Sequence, residues 1–229
     1  FLWYMGGAGL LADTLLTTID PSWRLEAVAD FNGDGKADIV WRDTSTGATW
    51  VWYMDGASFL SDAFLFSLDP VWGIEVVADF NRDGRPDFLM RNADTGLAFL
   101  WFFSGAAAIG DQYLFNIDPS WKVEGVGDFT GEGQPDLLFR SQVRGGAFVG
   151  PTVYAGGTVS LSSGADAPPV VATPSGGVSL DASATPLFSI DPSWKVEQVA
   201  DWNGDGKPDL VFRNANTGLV FVWYVVNLA

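Results

Sequence analysis

The sequence contains no cysteine and no histidine among its 229 residues. Without cysteine there is no disulfide framework and no thiol chemistry. Without histidine, the usual general base and the commonest transition-metal ligand are both missing. Basic residues are scarce as well: 12 Lys and Arg stand against 28 Asp and Glu, a net charge of −16. Nucleic-acid recognition needs a basic footprint, so that class of partner is excluded. Apolar runs are short, and none reaches the ~18 residues of a membrane-spanning helix. No signal-peptide pattern opens the chain, which begins at Phe1 and reads as a mature or excised segment.

What is present is apolar and aromatic, at 48% and 14% of residues. That composition demands a substantial core and excludes disorder over most of the chain. The acidic residues are not scattered. Asp30–Asp38 (DFNGDGKAD) returns as Asp79–Asp87 (DFNRDGRPD), Asp128–Asp136 (DFTGEGQPD) and Asp201–Asp209 (DWNGDGKPD). The first three copies begin 49 residues apart and the fourth follows after 73. Twelve carboxylates lie in these four loops, so four divalent ions would halve the net charge of −16.

Oxygen side chains at loop positions 1, 3, 5 and 9, with glycine at 6, describe a cage for a hard cation, which takes carboxylate, amide and carbonyl oxygens. In the first loop the side-chain ligands are Asp30, Asn32, Asp34 and Asp38, with the Lys36 carbonyl at position 7. The corresponding sets are Asp79, Asn81, Asp83, Arg85 and Asp87, then Asp128, Thr130, Glu132, Gln134 and Asp136, then Asp201, Asn203, Asp205, Lys207 and Asp209. Thr130 and Glu132 make the third set the weakest. The expected cofactor is Ca2+, three to four ions. A helix–loop–helix calcium site needs Glu at position 12, where this chain has Trp41, Met90, Phe139 and Phe212. The flanks are short, apolar and β-branched, so each loop tips a β-hairpin.

Around each loop run four apolar segments. In the first period these are Leu25–Ala29, Ile39–Arg42, Thr49–Met54 and Ala63–Leu68. Four short strands per 40–50 residues predict an all-β chain of propeller blades. A single domain over 1–229 is expected, with blades near 25–72, 74–121, 123–194 and 196–229, and 1–23 completing a blade. Phe1–Met5 and Phe221–Val225 both read as third strands and Leu15–Ile19 as a fourth, giving seventeen strands, about four blades plus a surplus terminal strand. Either the termini close one ring or the chain is a piece of a longer one. Glu26 and Arg42 lie equally far from Asp34, as do Glu75/Arg91, Glu124/Arg140 and Glu197/Arg213 about their loops. A symmetric hairpin would set them opposite as ion pairs, and Val28 opposite Val40. Asp-Pro-x-Trp corners end at Trp23, Trp72, Trp121 and Trp194, each tryptophan either packed or open to a sugar ring. A Gly-, Ser-, Ala- and Pro-rich insertion at 155–184, with possible strands at Thr158–Leu161 and Val178–Leu180, is either a partner contact or a tolerated excursion.

The run DFNGDGKADIVWRDTSTG, set between short apolar strands and repeated, resembles the FG-GAP/VCBS repeats of calcium-binding β-propellers. Such repeats are common in bacterial secreted and surface proteins, and similar calcium hairpins occur in integrin α-subunits and some fungal lectins. The resemblance implies calcium at the loop residues already named, but no particular activity. The expectation is a non-catalytic module outside the cell or on its surface, binding a glycan or protein ligand. A structural subunit docking through its terminal strands or the 155–184 loop is the alternative. A propeller glycosidase is the most distant one, because no off-pattern carboxylate pair is recognisable.

Overall fold

The computed structural model describes residues 2–6, 9–116, 118–143, 146–151 and 185–225. They form seventeen strands, β1 to β17, and no helix. Accordingly no helix among them is long and apolar enough to cross a membrane. The strands pair antiparallel and in chain order. A hairpin of β1 (Leu2–Gly6) and β2 (Gly9–Thr14) precedes sheet 1, which is β3 (Trp23–Ala29), β4 (Asp38–Asp43), β5 (Ala48–Asp55) and β6 (Ser58–Ser67). Sheet 2 is β7 (Trp72–Ala78), β8 (Asp87–Asn92), β9 (Leu97–Ser104) and β10 (Ala107–Asn116). Sheet 3 is β11 (Trp121–Gly127), β12 (Asp136–Ser141), β13 (Gly146–Pro151) and β14 (Thr185–Ser189); sheet 4 has only β15 (Trp194–Ala200), β16 (Asp209–Asn214) and β17 (Val220–Trp223).

Because side chains alternate along a strand, one strand can feed two interfaces. In β8, Phe88 and Met90 join Phe31, Val40, Val51 and Phe66 between sheets 1 and 2. Leu89, between them, joins Phe102, Trp121, Leu137 and Phe139 between sheets 2 and 3. Leu138 of β12 then meets Leu210 and Phe212 between sheets 3 and 4. This is why β8 and β12 are buried at every position and read as unbroken apolar runs rather than alternating ones. The first strands β3, β7, β11 and β15 touch one another in that order, and residues from all four border a central cavity of about 530 Å³. The approach is close. A methyl group on Gly125 of β11 would come within 2.2 Å of Val199 of β15.

Two strand expectations are corrected. Leu15–Ile19 is not a strand; the partner of β1 is β2, which ends at Thr14, because a short hairpin pairs outward from its turn. The Glu–Arg register also fails. Leu25 pairs with Trp41 and Ala27 with Val40, so Glu26 bulges out of β3, and Val28 faces Ile39 instead of Val40. The same shift occurs at Glu75, Glu124 and Glu197. A bulge leaves one residue without a cross-strand partner, and in this chain that residue is the glutamate each time.

The arginines find other partners. Arg42 Nη2 donates to the carbonyls of Leu68 and Asp69 at 3.3 and 3.4 Å. Arg91 donates to Trp121 and Asp118, and Arg140 Nη2 donates to Asp191 at 3.3 Å. Each buried guanidinium therefore holds the Asp-Pro corner that leads into the following sheet. Ion pairs with the bulged glutamate do form at Arg140–Glu124 (3.3 Å) and Arg213–Glu197 (2.8 Å). The corner itself is a turn, with Trp23 N–H on Asp20 O at 3.0 Å and Ser22 N–H on the Asp20 carboxylate at 2.8 Å. Its tryptophan is core at Trp121, packs against a core at Trp72 and Trp194, and lines a cavity at Trp23.

Breaking a buried pair strands its partner, whereas an exposed pair contributes little. Arg140→Met should therefore cost about 3–5 kcal/mol and Arg213→Met less than about 1 kcal/mol, read as shifts of the urea unfolding midpoint at constant slope.

Candidate metal-binding loops

The four acidic loops join the first strand of a sheet to its second. Glycine at the sixth position is left-handed in every copy, with φ between 76° and 84° at Gly35, Gly84, Gly133 and Gly206. That conformation suits a residue with no Cβ. It lets the chain fold back over its own first carboxylate. Asp30 Oδ1 accepts from the N–H groups of Gly33 and Asp34 at 2.7 and 3.1 Å, and Oδ2 from Gly35 at 2.7 Å. Asn32 Oδ1 accepts from Asp34 N–H at 2.8 Å, and Asp34 Oδ1 from Lys36 N–H at 2.9 Å. Asn32 Nδ2 donates to Asp34 Oδ2 at 3.3 Å, so positions 1, 3 and 5 are gathered on one loop.

Loops two and four repeat this wiring. Asp79, Asn81 and Asp83 accept from Gly84, Asp83 and Arg85. Asp201, Asn203 and Asp205 accept from Gly206, Asp205 and Lys207. The third loop keeps only its first carboxylate in that role, Asp128 accepting from Gly131 and Gly133 at 2.7 Å. Thr130 and Glu132 make no equivalent side-chain bonds to the loop backbone among the described residues, in line with the weaker set expected there.

Position 9 differs from the other three. Asp38, Asp87, Asp136 and Asp209 are all 0% exposed. Asp38 Oδ2 accepts from Phe31 and Asn32 N–H at 2.9 and 3.3 Å, while Oδ1 accepts from Met54 N–H at 2.9 Å, at the far end of β5. Asp87 does the same with Phe80, Asn81 and Phe103, and Asp209 with Trp202 and Val225. Asp136 accepts from Thr130 N–H at 2.9 Å, but its Oδ1 is buried without a partner. The ninth carboxylate thus ties the loop to the third strand of its own sheet, a role the spacing alone did not reveal.

Among the described residues no three acidic side chains converge closely enough to hold a metal as they stand. The physical reason is plain: carboxylates on one loop repel, and each turns to a backbone N–H. The donor set nevertheless fits a hard divalent cation, with two carboxylates and one amide oxygen at positions 1, 3 and 5 of loops one, two and four, and a third carboxylate beneath. At position 7, Lys36 sends its ammonium away to Asp55 at 2.8 Å. Arg85 sends its guanidinium to the Phe31 carbonyl of loop one at 3.3 Å. From position 4 of the same loop Arg82, at φ 64°, donates to the Glu132 carbonyl of loop three at 3.1 Å. Loop two is therefore latched to the loops on either side.

Residues 30–90 match the FG-GAP-like repeat family. That span holds the first two acidic loops and the strands between them. Among solved structures the chain is similar to the Vibrio cholerae biofilm matrix protein Bap1, at 17% identity and a TM-score of 0.35. The similarity covers 89% of this chain and 30% of Bap1, so the chain spans less than a third of that protein's length. No curated protein matches.

Burial pushes the carboxyls of Asp87 and Asp136 up to about 6, even against the N–H groups that stabilise their charged forms. In the unfolded chain these groups ionise near 3.8, so between pH 4 and 6 the folded protein holds protons that the unfolded chain has released. Stability then falls as pH rises through that window. The opposite group, Asp43 with its carboxyl down at about 2, loses its contribution only below its unfolded value. Metal-free protein should therefore melt highest near pH 4–5 and lower at pH 7, and millimolar calcium should move that maximum upward. A melting temperature that climbs steadily from pH 4 to 7 in EDTA would contradict the assignment.

Proposed function

We propose that this chain is a non-catalytic, calcium-stabilised β-propeller segment that serves outside the cell as a binding or adhesion module. The sheets are its blades. What supports this is that four sheets present their first strands to one cavity while packing face to face in sequence. The observation that carries the metal half is the threefold recurrence of one donor set, in loops one, two and four, each with its oxygens collected by the loop's own backbone. A turn needing no ion is closed by one such oxygen on its own backbone, whereas two carboxylates and an amide oxygen kept together in three of the four loops suit a bound cation. The ions would sit at Asp30, Asn32 and Asp34, at Asp79, Asn81 and Asp83, and at Asp201, Asn203 and Asp205, with the loop-three set weakest. The acidic composition is then directed at metal, and the ligand is a glycan or protein surface.

A second reading, a structural subunit of an extracellular assembly, is favoured by one observation. Among the described residues β17 pairs with β16 alone, and all four of its residues are exposed. An apolar edge of that kind is a template for another strand. The 155–184 insertion, the other docking candidate, lies outside the described residues.

Calcium at 10 mM should raise stability by roughly 1.4–2.7 kcal/mol per site, given dissociation constants of about 10⁻⁴–10⁻³ M. The rise should reverse with EDTA and shrink by about one site's worth in Asp34→Ala or Asp205→Ala. Retention on glycan- or protein-coated surfaces should be lost in EDTA. No thermal shift with calcium would remove the metal, and no retention on either surface would remove the binding role. A strict monomer by sedimentation would count against the assembly reading.

A further inference from the structure

On the face of sheet 1 turned away from sheet 2, Trp23, Trp41, Trp50 and Trp52 surround a cavity of about 350 Å³, closed by Ile19 and Asp62. A cavity of the same size lies one repeat later, lined by Leu68, Trp72, Met90, Phe99, Trp101 and Asp111. Each of these six stands 49 positions after its counterpart. The register explains the constancy: Trp52 pairs with Asp62 and Trp101 with Asp111 across the third and fourth strands. At sheet 2 the cavity persists although sheet 1 packs against that face, so it is a property of the repeat and not of an uncovered surface.

Three features of the first cavity define what it would take. Its walls are indoles, with Trp41 and Trp52 standing 5.6 Å apart at 57°, an aromatic corner rather than a closed stack. The indole N–H of Trp41 is buried, shut off from the cavity as well as from any hydrogen-bond partner, so that indole offers a face and not a donor. The Asp62 carboxylate supplies an acceptor at the wall, and that residue is exposed. A ligand that fits must offer a C–H face to the indoles and, on its edge, a group that donates to Asp62. A pyranose ring with its hydroxyls does both. The volume is at the lower end of the roughly 300–1,000 Å³ of small-ligand sites, suited to one ring. Asp62 and a net charge of −16 disfavour an acidic sugar.

We propose that this cavity binds a neutral pyranose residue, stacked on its tryptophans and hydrogen-bonded to Asp62, and that the second cavity is a weaker copy because Met90 and Phe99 replace two of its indoles. The proposal rests on the reading of the chain as a binding module and names its ligand class. The test is an amide and indole NMR titration of the whole calcium-loaded chain with methyl β-D-glucopyranoside, methyl β-D-galactopyranoside and N-acetylglucosamine. Tetramethylammonium chloride serves as the cationic control for an aromatic cage. The Trp41 indole signal, assigned by its loss in Trp41→Phe, should shift with at least one sugar, and the Trp101 signal should shift at higher concentration. Trp41→Phe, which keeps a ring at a position where the repeat tolerates methionine, should weaken binding several-fold through its smaller stacking face, and Asp62→Ala about tenfold, the worth of one hydrogen bond. Failure of all three sugars to move these indoles, movement by tetramethylammonium alone, or unchanged affinity in Asp62→Ala would each overturn the proposal. If the sugars fail while calcium-dependent retention on protein-coated surfaces persists, the pyranose site falls and the module stands; retention on no surface with sugar binding intact would do the reverse.

Discussion

The structure hangs on a buried carboxylate held by backbone N–H groups. Asp38, Asp87 and Asp209 each accept backbone N–H groups from two places, the start of an acidic loop and the end of the third strand. A loop of nine residues rich in like charge would otherwise splay, since every exposed carboxylate gains by moving away from its neighbours. The ninth residue prevents this by making the loop's entry part of the sheet. The aromatic residue after the first Asp gains from the same tie. Phe31, Phe80 and Phe129 are buried in the interfaces between sheets, so the loop is anchored by a ring on one side and a carboxylate on the other.

Burying that group has an energetic consequence that propagates. Asp87 and Asp136 are held well above the ordinary carboxylate range by desolvation, and a nearby divalent charge is the natural way to restore their ionised forms. On the proposed calcium reading, stability and metal affinity would be one property seen twice, since closing a loop around an ion would also relieve the buried carboxylate beneath it. Asp136 is the extreme case. Its Oδ1 is buried and unpaired, and it sits under the loop whose Thr130 and Glu132 depart most from the pattern, so strain and weakened donor set fall on the same repeat.

Much of this was legible in the sequence, because the repeat compares the chain with itself. The hairpin loops, the four strands per period and the Asp-Pro-x-Trp turns follow from spacing, turn chemistry and apolar alternation. What stayed hidden was any feature whose partner lies off that alternation. The bulge at Glu26 adds one residue to one strand, which period-2 reasoning has no means of detecting. The recurring Glu and Arg were the right residues to single out, yet the arginine's main partners are backbone carbonyls of a corner some 27 positions on, invisible to side-chain chemistry. Likewise the amides of Met54, Phe103 and Val225 gave no signal that they serve the ninth carboxylate, since every residue carries an amide. The tryptophan corners divided: Trp121 is core, while Trp23 and Trp72 line cavities.

Loop two shows how a repeat can be individual without breaking its rule. It alone carries arginine at positions 4 and 7. Arg85 reaches the Phe31 carbonyl and Arg82 the Glu132 carbonyl. Holding Arg82 at φ 64°, where its counterparts in the other loops are glycines, costs on the order of 1 kcal/mol. That strain is sustained only if the guanidinium contact returns at least as much. The two arms place fixed positive charge between acidic loops, where mobile ions would otherwise be the sole screen. Sheets one to three are therefore joined twice, by apolar faces within and by charge at the loop ends. Sheet four, whose loop has glycine and lysine at the same positions, is joined to sheet three by Leu210 and Phe212, by the hold of Arg140 on the Asp191 carbonyl and by the Val196 N–H on the Glu124 carboxylate, so there apolar faces and side-chain-to-backbone bonds serve in place of the loop arms.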